Sequence, residues 1–123
     1  MISRFFRAGV LALLCVAAFP NMASAQRAYD GNWSVLIVTQ NGNCDRAYRY
    51  GVSIRGGQVH YDGGLVSFTG QVAANGTVKV RVTTGGSSAV GTGRLSRNAG
   101  KGQWSGQTGG QRCSGYWTAE RRD

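Results

Sequence analysis

Turn-forming residues interrupt this chain at short intervals from Asp30 to its end. Clusters of Gly and Asn follow apolar or alternating runs of strand length, and no run keeps a helical period over a useful length. Of the 123 residues 20 are Gly and only one is Pro. The pattern is typical of short strands joined by tight turns, and it predicts an all-β domain.

Residues 1–25 are predicted to be a secretory signal peptide. They combine a positively charged start, the apolar stretch 8–19 and the small residues 23–25, which suit cleavage after Ala25. The apolar stretch is shorter than the about 20 residues that a membrane span needs. We therefore expect a periplasmic or secreted protein with no membrane span.

The predicted mature domain, 26–123, keeps two of the three cysteines, Cys44 and Cys113. In an exported chain a lone pair of cysteines is normally oxidised. We therefore predict a Cys44–Cys113 disulfide. Closing so long a loop stabilises a small domain by about 4 kcal/mol on the chain-entropy model.

Alternation and turns together place eight strands in this domain. The clearest is the fifth, in which the valines at 78, 80 and 82 alternate with polar residues, and Asn75-Gly76 before it predicts a type I′ hairpin turn. On strand two, Tyr48 and Tyr50 share the inward face. The predicted strands cover 33–40, 45–54, 58–62, 65–72, 78–83, 89–96, 102–107 and 112–121.

Eight short antiparallel strands predict a small up-and-down barrel or a strongly coiled meander. Cys44 follows the first strand and Cys113 begins the last. If these two strands are antiparallel neighbours, the cysteines meet and the disulfide fastens the closing seam, where two exposed edges would otherwise invite aggregation.

Large rings and small residues are predicted to fill the interior together. Gly91 and Gly93 share an inward face with Leu95, and we expect them to leave space for a large ring such as Trp33 or Trp104. The alternative is that the missing side chains open a small cavity. On strand eight, Trp117 is expected to face inward and its neighbour Tyr116 outward, near Arg46 and Arg49.

A short motif near the start of the predicted mature domain resembles that of the calycin barrels, namely lipocalins, fatty-acid-binding proteins and avidins. It is the Gly-x-Trp of Gly31 and Trp33, together with Arg121 or Arg122 on the last strand to cover the indole. The resemblance implies a calycin-like architecture, and ligand binding is not carried over with it.

Five motifs together resemble a group of small Gly-rich secreted β-domain proteins of α-proteobacteria, which has no assigned activity. They are Tyr-Asp-Gly-Asn-Trp (29–33), Cys-Asp-Arg-Ala-Tyr (44–48), Gly-Arg-Leu-Ser (93–96), Gly-Gln-Trp (102–104) and Cys-Ser-Gly-Tyr-Trp (113–117). The chain is also similar to periplasmic inhibitors of metalloproteases, whose disulfide is local and does not span the domain. These resemblances imply an exported bacterial protein and supply no catalytic residues.

Catalytic groups are scarce in the predicted mature domain. Its one imidazole is His60, which would share a strand face with Asp62, and no Gly-x-Ser-x-Gly motif accompanies them. Cys-x-x-Cys and a second His are also missing from its sequence. We therefore predict a protein that is not an enzyme and uses no metal or cofactor.

Charge is the feature of the sequence that most indicates a function. The chain carries 14 Lys+Arg against 5 Asp+Glu, and no acid occurs between Gly63 and Ala119. Strand alternation turns the cations of this stretch outward. We name the predicted binding residues the basic face, which consists of Lys79, Arg81, Arg94, Arg97 and Lys101.

A basic face predicts a monomeric binding module for an anionic partner, such as envelope glycolipid, acidic polysaccharide, nucleic acid or an acidic protein. Three alternatives stay open. The charge only keeps the protein soluble, the protein is an interaction module of the protease-inhibitor kind, or it is a structural envelope protein without a soluble ligand.

Overall fold

Strands form wherever apolar and polar side chains alternate. The computed structural model describes residues 27–123, so the predicted signal peptide lies outside the described residues. All eight predicted strands are confirmed, with ends that differ by at most three residues. They are β1 (Gly31–Asn41), β2 (Ala47–Arg55), β3 (Gln58–His60), β4 (Ser67–Val72), β5 (Thr77–Thr84), β6 (Ser87–Leu95), β7 (Ala99–Thr108) and β8 (Gln111–Arg121).

The strands close into an antiparallel up-and-down barrel, which confirms the barrel over the open meander. Each strand pairs with the next, and β8 returns to pair with β1, with Trp33 opposite Arg121. Closure leaves the first and last strands without exposed edges. The least regular seam joins β3 to β4, where Gln58 and Gln71 form the one registered pair.

A hydrophobic core fills one end of the barrel, which we call the closed end. Its centre is Trp33, whose side chain is 2% exposed. Removing these aliphatic and indole groups from water is the main force that stabilises so small a domain. The other buried members of the core are Ile54, Val59, Val72, Val78, Leu95, Trp117 and Ala119.

Arg121 covers this core, as the Gly-x-Trp motif predicted. Its guanidinium donates to three backbone carbonyls, those of Asp30 at 2.6 Å, Arg97 at 2.9 Å and Ala28 at 3.1 Å. It therefore ties the segment before β1 to the turn between β6 and β7. Gly31 lies next to this guanidinium, and a Cβ there would lie 3.0 Å from Nη1 of Arg121 and 2.6 Å from Oδ1 of Asp123.

The predicted disulfide is confirmed at the opposite end of the barrel, which we call the open end. Cys44, in the loop after β1, is bonded to Cys113 on β8, and their Cα atoms lie 6.2 Å apart. The bond therefore fastens the seam between the first and last strands, while Arg121 fastens the same seam at the closed end.

The inward glycines of β6 and β7 leave space for a large ring, as predicted, but the ring is that of Trp117 and not of Trp33 or Trp104. A Cβ on Gly93 would lie 2.5 Å from Cζ2 of Trp117, and one on Gly102 would lie 2.6 Å from its Cε2. The ring comes from β8, two strands away from β6. Predicting which ring lies beside these glycines therefore requires the register of three strands.

The type I′ turn predicted at Asn75-Gly76 is also wrong. Gly76 has φ +92°, but no residue other than glycine has a positive φ in the described part of the chain, so Asn75 is not left-handed. Instead, the side-chain oxygen of Asn75 accepts from the backbone N–H of Thr77 at 3.0 Å. The carboxamide of Asn75 thus supports the end of the turn, where the chain enters β5.

Candidate functional site: a cavity inside the barrel

The open half of the barrel is not filled by its own side chains. A cavity of about 480 Å³ occupies it. The cause is the small size of several inward residues, among them Ala89 and Gly91 on β6, which cannot reach the barrel axis. Pockets that hold drug-sized molecules range over about 300–1,000 Å³, so this volume suits a small organic ligand.

Apolar groups form the base and walls of the cavity. The rings of Trp33 and Trp117 lie at its base, where the core begins. The walls consist mainly of aliphatic and aromatic side chains, which include Val35, Ile37, Val52, Phe68, Val80 and Trp104. Such a lining favours contact with an apolar ligand over contact with water.

The indole N–H groups of the three lining tryptophans are all satisfied by backbone carbonyls. Trp33 donates to Tyr29 at 2.9 Å, Trp104 to Val38 at 2.9 Å and Trp117 to Thr92 at 3.2 Å. Because each indole donor is already paired, the rings offer only carbon surface to the cavity. A ligand at its base therefore needs no hydrogen-bond acceptor for them.

Aromatic rings line one side of the cavity near its mouth. Successive ring centroids lie 4.7 Å apart from Tyr48 to Tyr50, 5.4 Å from Tyr50 to Tyr61 and 6.1 Å from Tyr61 to Phe68. We call these four residues the aromatic wall. It covers the irregular seam between β3 and β4, and Tyr48, although it faces inward, is 51% exposed because it stands at the mouth.

Within residues 27–123 no buried side-chain oxygen lacks a hydrogen-bond partner, so any phenol of the aromatic wall without a protein partner is accessible to solvent. Burial raises the pKa of Tyr50, and the nearby Tyr48, Tyr61 and Asp45 raise it further because their negative forms oppose a second negative charge. The surroundings of Tyr50 therefore disfavour a negative charge on its own phenol group.

Asp45 supplies the only formally charged side chain among the described residues that line the cavity. It follows Cys44 in the loop between β1 and β2, and its backbone carbonyl accepts from the hydroxyl of Thr39 at 2.6 Å. This hydrogen bond and the disulfide fix the backbone of the loop, so Asp45, an exposed residue, stands at the mouth.

The structure places the basic face on the outer surface of β5, β6 and β7 and the turn after β6. All five residues are exposed, and Arg94 pairs directly across the sheet with Lys101. Within residues 27–123 the one ion pair joins Arg122 to Glu120 at 3.7 Å, so no acid neutralises the basic face.

His60 and Asp62, the pair considered from the sequence, do not lie on one strand. β3 ends at His60, so Asp62 lies in the following loop and does not share a strand face with it. No hydrogen bond or ion pair joins the two, and residues 27–123 contain no cluster of three potential metal ligands. The described region also contains no helix that is long and apolar enough to cross a membrane.

The fold and the site define a small antiparallel barrel with an apolar interior that is open at one end. Comparisons with known protein families, with curated proteins and with solved structures find no match. The resemblance to Gly-rich secreted proteins of α-proteobacteria stays a prediction.

Most of the cavity was not predicted from the sequence. A signal for it existed on β6, where the inward residues at 89, 91 and 93 are Ala, Gly and Gly. We expected a large ring to fill the space beside these glycines and considered a cavity as the alternative. Trp117 fills the space beside Gly93, whereas Gly91 and Ala89 face the open cavity.

Proposed function

We propose that this protein is a non-enzymatic binding protein that holds a small, predominantly apolar molecule inside its barrel. The observation that carries the proposal is the unfilled apolar cavity beneath the aromatic wall. A domain of this size gains much of its stability from burying apolar surface, so a void of about 480 Å³ costs contacts that a ligand would restore.

Titration with the neutral apolar fluorophore N-phenyl-1-naphthylamine tests this function. We expect one saturable site per chain and a rise in probe emission, because the probe leaves water for the cavity. The variant Ala89→Phe places a ring in the cavity and should abolish binding. Its control is Thr92→Phe, which adds the same ring to the outer surface of the same strand.

Equal binding by both variants would refute an interior site. The comparison is valid only if the Ala89→Phe protein is folded, which a cooperative urea transition verifies. If the wild type shows no saturable binding of the probe or of other apolar compounds of similar size, the proposal is wrong.

The basic face supports a second candidate function, which is binding of an anionic polymer after export. Its support is the direct pairing of Arg94 with Lys101, beside Lys79 and Arg81 and with no neutralising acid. Two adjacent cations on a rigid sheet suit a ligand with closely spaced negative groups. Export itself is supported by the Cys44–Cys113 disulfide.

Heparin binding across salt concentrations tests this second function. The logarithm of affinity should fall linearly with the logarithm of salt concentration, and Arg94→Ser with Lys101→Ser should reduce the slope by about one unit per lost contact. Arg46→Ser with Arg55→Ser removes the same charge elsewhere and should leave the slope closer to that of wild type. Equal slopes for the two double variants would contradict a role for the basic face.

A further inference from the structure

The mouth of the cavity combines a carboxylate with a row of electron-rich rings. Asp45 lines the cavity on the loop after β1, and Tyr48 and Tyr50 line it on the adjacent strand. Burial raises the pKa of Tyr50 most, and Asp45 is close enough to Tyr50 for its carboxylate to raise that pKa further.

Aromatic faces carry negative electrostatic potential and attract organic cations, particularly where water is partly excluded. The edge-on contact between Tyr50 and Tyr61, at an interplanar angle of 87°, makes the two rings face in different directions and form a corner. A carboxylate beside such a corner is the arrangement that suits an ammonium group, whose charge is spread over its methyl or methylene substituents.

We propose that the ligand of the interior site is an apolar molecule with an ammonium group at one end, an inference that rests on the function proposed above. Its apolar body lies against the tryptophans at the base of the cavity, and its ammonium group lies at the mouth between Asp45 and the aromatic wall.

The positive charge of the protein as a whole does not oppose this assignment at the mouth. Arg46 and Arg112 are exposed residues near the open end, but neither lines the cavity or forms an ion pair with Asp45. The basic face lies on the outside of the barrel wall. At physiological ionic strength exposed charges are screened beyond about 8 Å, so the basic face on the outer wall has less effect on a ligand at the mouth than a carboxylate in direct contact.

Three probes with the same apolar body separate this inference from the interior site itself. Decyltrimethylammonium, decanol and decanoate are titrated below their micelle concentrations, with tryptophan emission as the readout, because three tryptophans line the cavity. We expect the cation to bind about tenfold more tightly than decanol, and decanoate to bind most weakly.

The Asp45→Asn variant should remove most of the preference for the cation while leaving the affinity for decanol within about twofold of wild type. Asp62→Asn is the matched control, because it removes one exposed acid that does not line the cavity. It should keep the preference of the wild type.

The outcomes distinguish the two proposals. Equal binding of the three probes, or a preference for decanoate, overturns the ammonium assignment and leaves the interior site standing. A preference for the cation that survives Asp45→Asn also overturns it. No saturable binding of any of the three contradicts both the assignment and the proposed function.

Discussion

Arg121 lies over the indole of Trp33, with its guanidinium carbon 4.8 Å from the ring centroid. The two residues are directly opposite in the register of β8 and β1, so the contact crosses the seam that closes the barrel. The same guanidinium donates to three carbonyls. One side chain thus combines closure of the sheet with covering of the core.

Replacing Arg121 with Ala should lower the free energy of unfolding by about 2 kcal/mol, measured by urea denaturation. Three hydrogen bonds from a charged donor and a cation–π contact are lost together, and partial exposure limits the effect. Arg122→Ala is the control, because its only ion pair is exposed, and it should change the stability by less than about 0.5 kcal/mol. Equal effects would show that the guanidinium does not stabilise the closed end.

A second prediction concerns the stability of the domain when a glycine beneath Trp117 is replaced. Gly93→Ala should destabilise the domain by about 1–3 kcal/mol, because the new methyl group meets both the backbone carbonyl of Lys101 and the indole of Trp117, so the neighbouring strand and the ring must move. Gly51→Ala is the control, since a Cβ there has no neighbour within 4 Å. It should be neutral or slightly stabilising because alanine restricts the unfolded chain. A neutral Gly93→Ala would contradict the packing of Trp117 against β6.

The disulfide should contribute about 4 kcal/mol to the stability of the domain. Urea unfolding of the protein 26–123 should show this loss after Cys44→Ala with Cys113→Ala, and also on addition of dithiothreitol to the wild type. Dithiothreitol should leave the double variant unchanged, which serves as the control. Two reactive thiols in the untreated wild type, titrated in denaturant, would contradict the bond.

The raised pKa of Tyr50 predicts how the free energy of unfolding changes at alkaline pH. Its pKa is raised in the folded state by burial first and by its neighbours second, so the unfolded state releases the proton at lower pH. The contribution of Tyr50 is therefore complete below about pH 10, the usual pKa of tyrosine, and is lost as the pH rises through the higher folded value.

The variant Tyr50→Phe removes this dependence. Between pH 10 and pH 11, urea denaturation should show a smaller loss of stability for the variant than for the wild type, whereas their difference should stay constant between pH 7 and pH 9. Parallel curves above pH 10 would show that Tyr50 does not titrate differently in the two states.

Local sequence patterns were sufficient to predict the strands, and the two cysteines favoured closure of the sheet without excluding an open meander. The alternating valines of β5 define an inward face without any knowledge of the neighbouring strands, and Cys44 and Cys113 identify which strands meet. Trp117 was not predicted beneath the glycines, because side chains from β6, β7 and β8 meet only in the final register. The same dependence hid the aromatic wall, whose members come from β2, β4 and the loop after β3.

The basic face, in contrast, could be placed from the sequence. Alternation around Val78 and Val80 turns Lys79 outward, and the short turn after Leu95 brings Arg94 opposite Lys101. What alternation could not predict was the volume left inside the barrel. That volume depends on how the small residues of β6 combine with the sizes of all the opposing side chains.

Nuclear magnetic resonance of the ¹⁵N-labelled domain distinguishes interior binding from surface binding. In a titration with N-phenyl-1-naphthylamine, the indole N–H signals of Trp104 and Trp117 should shift and saturate at one ligand per chain, because both rings line the cavity. The backbone signals of Lys79 and Arg81, whose side chains face outward, should move less. Unchanged indole signals alongside saturable shifts on the outer surface would contradict an interior binding site.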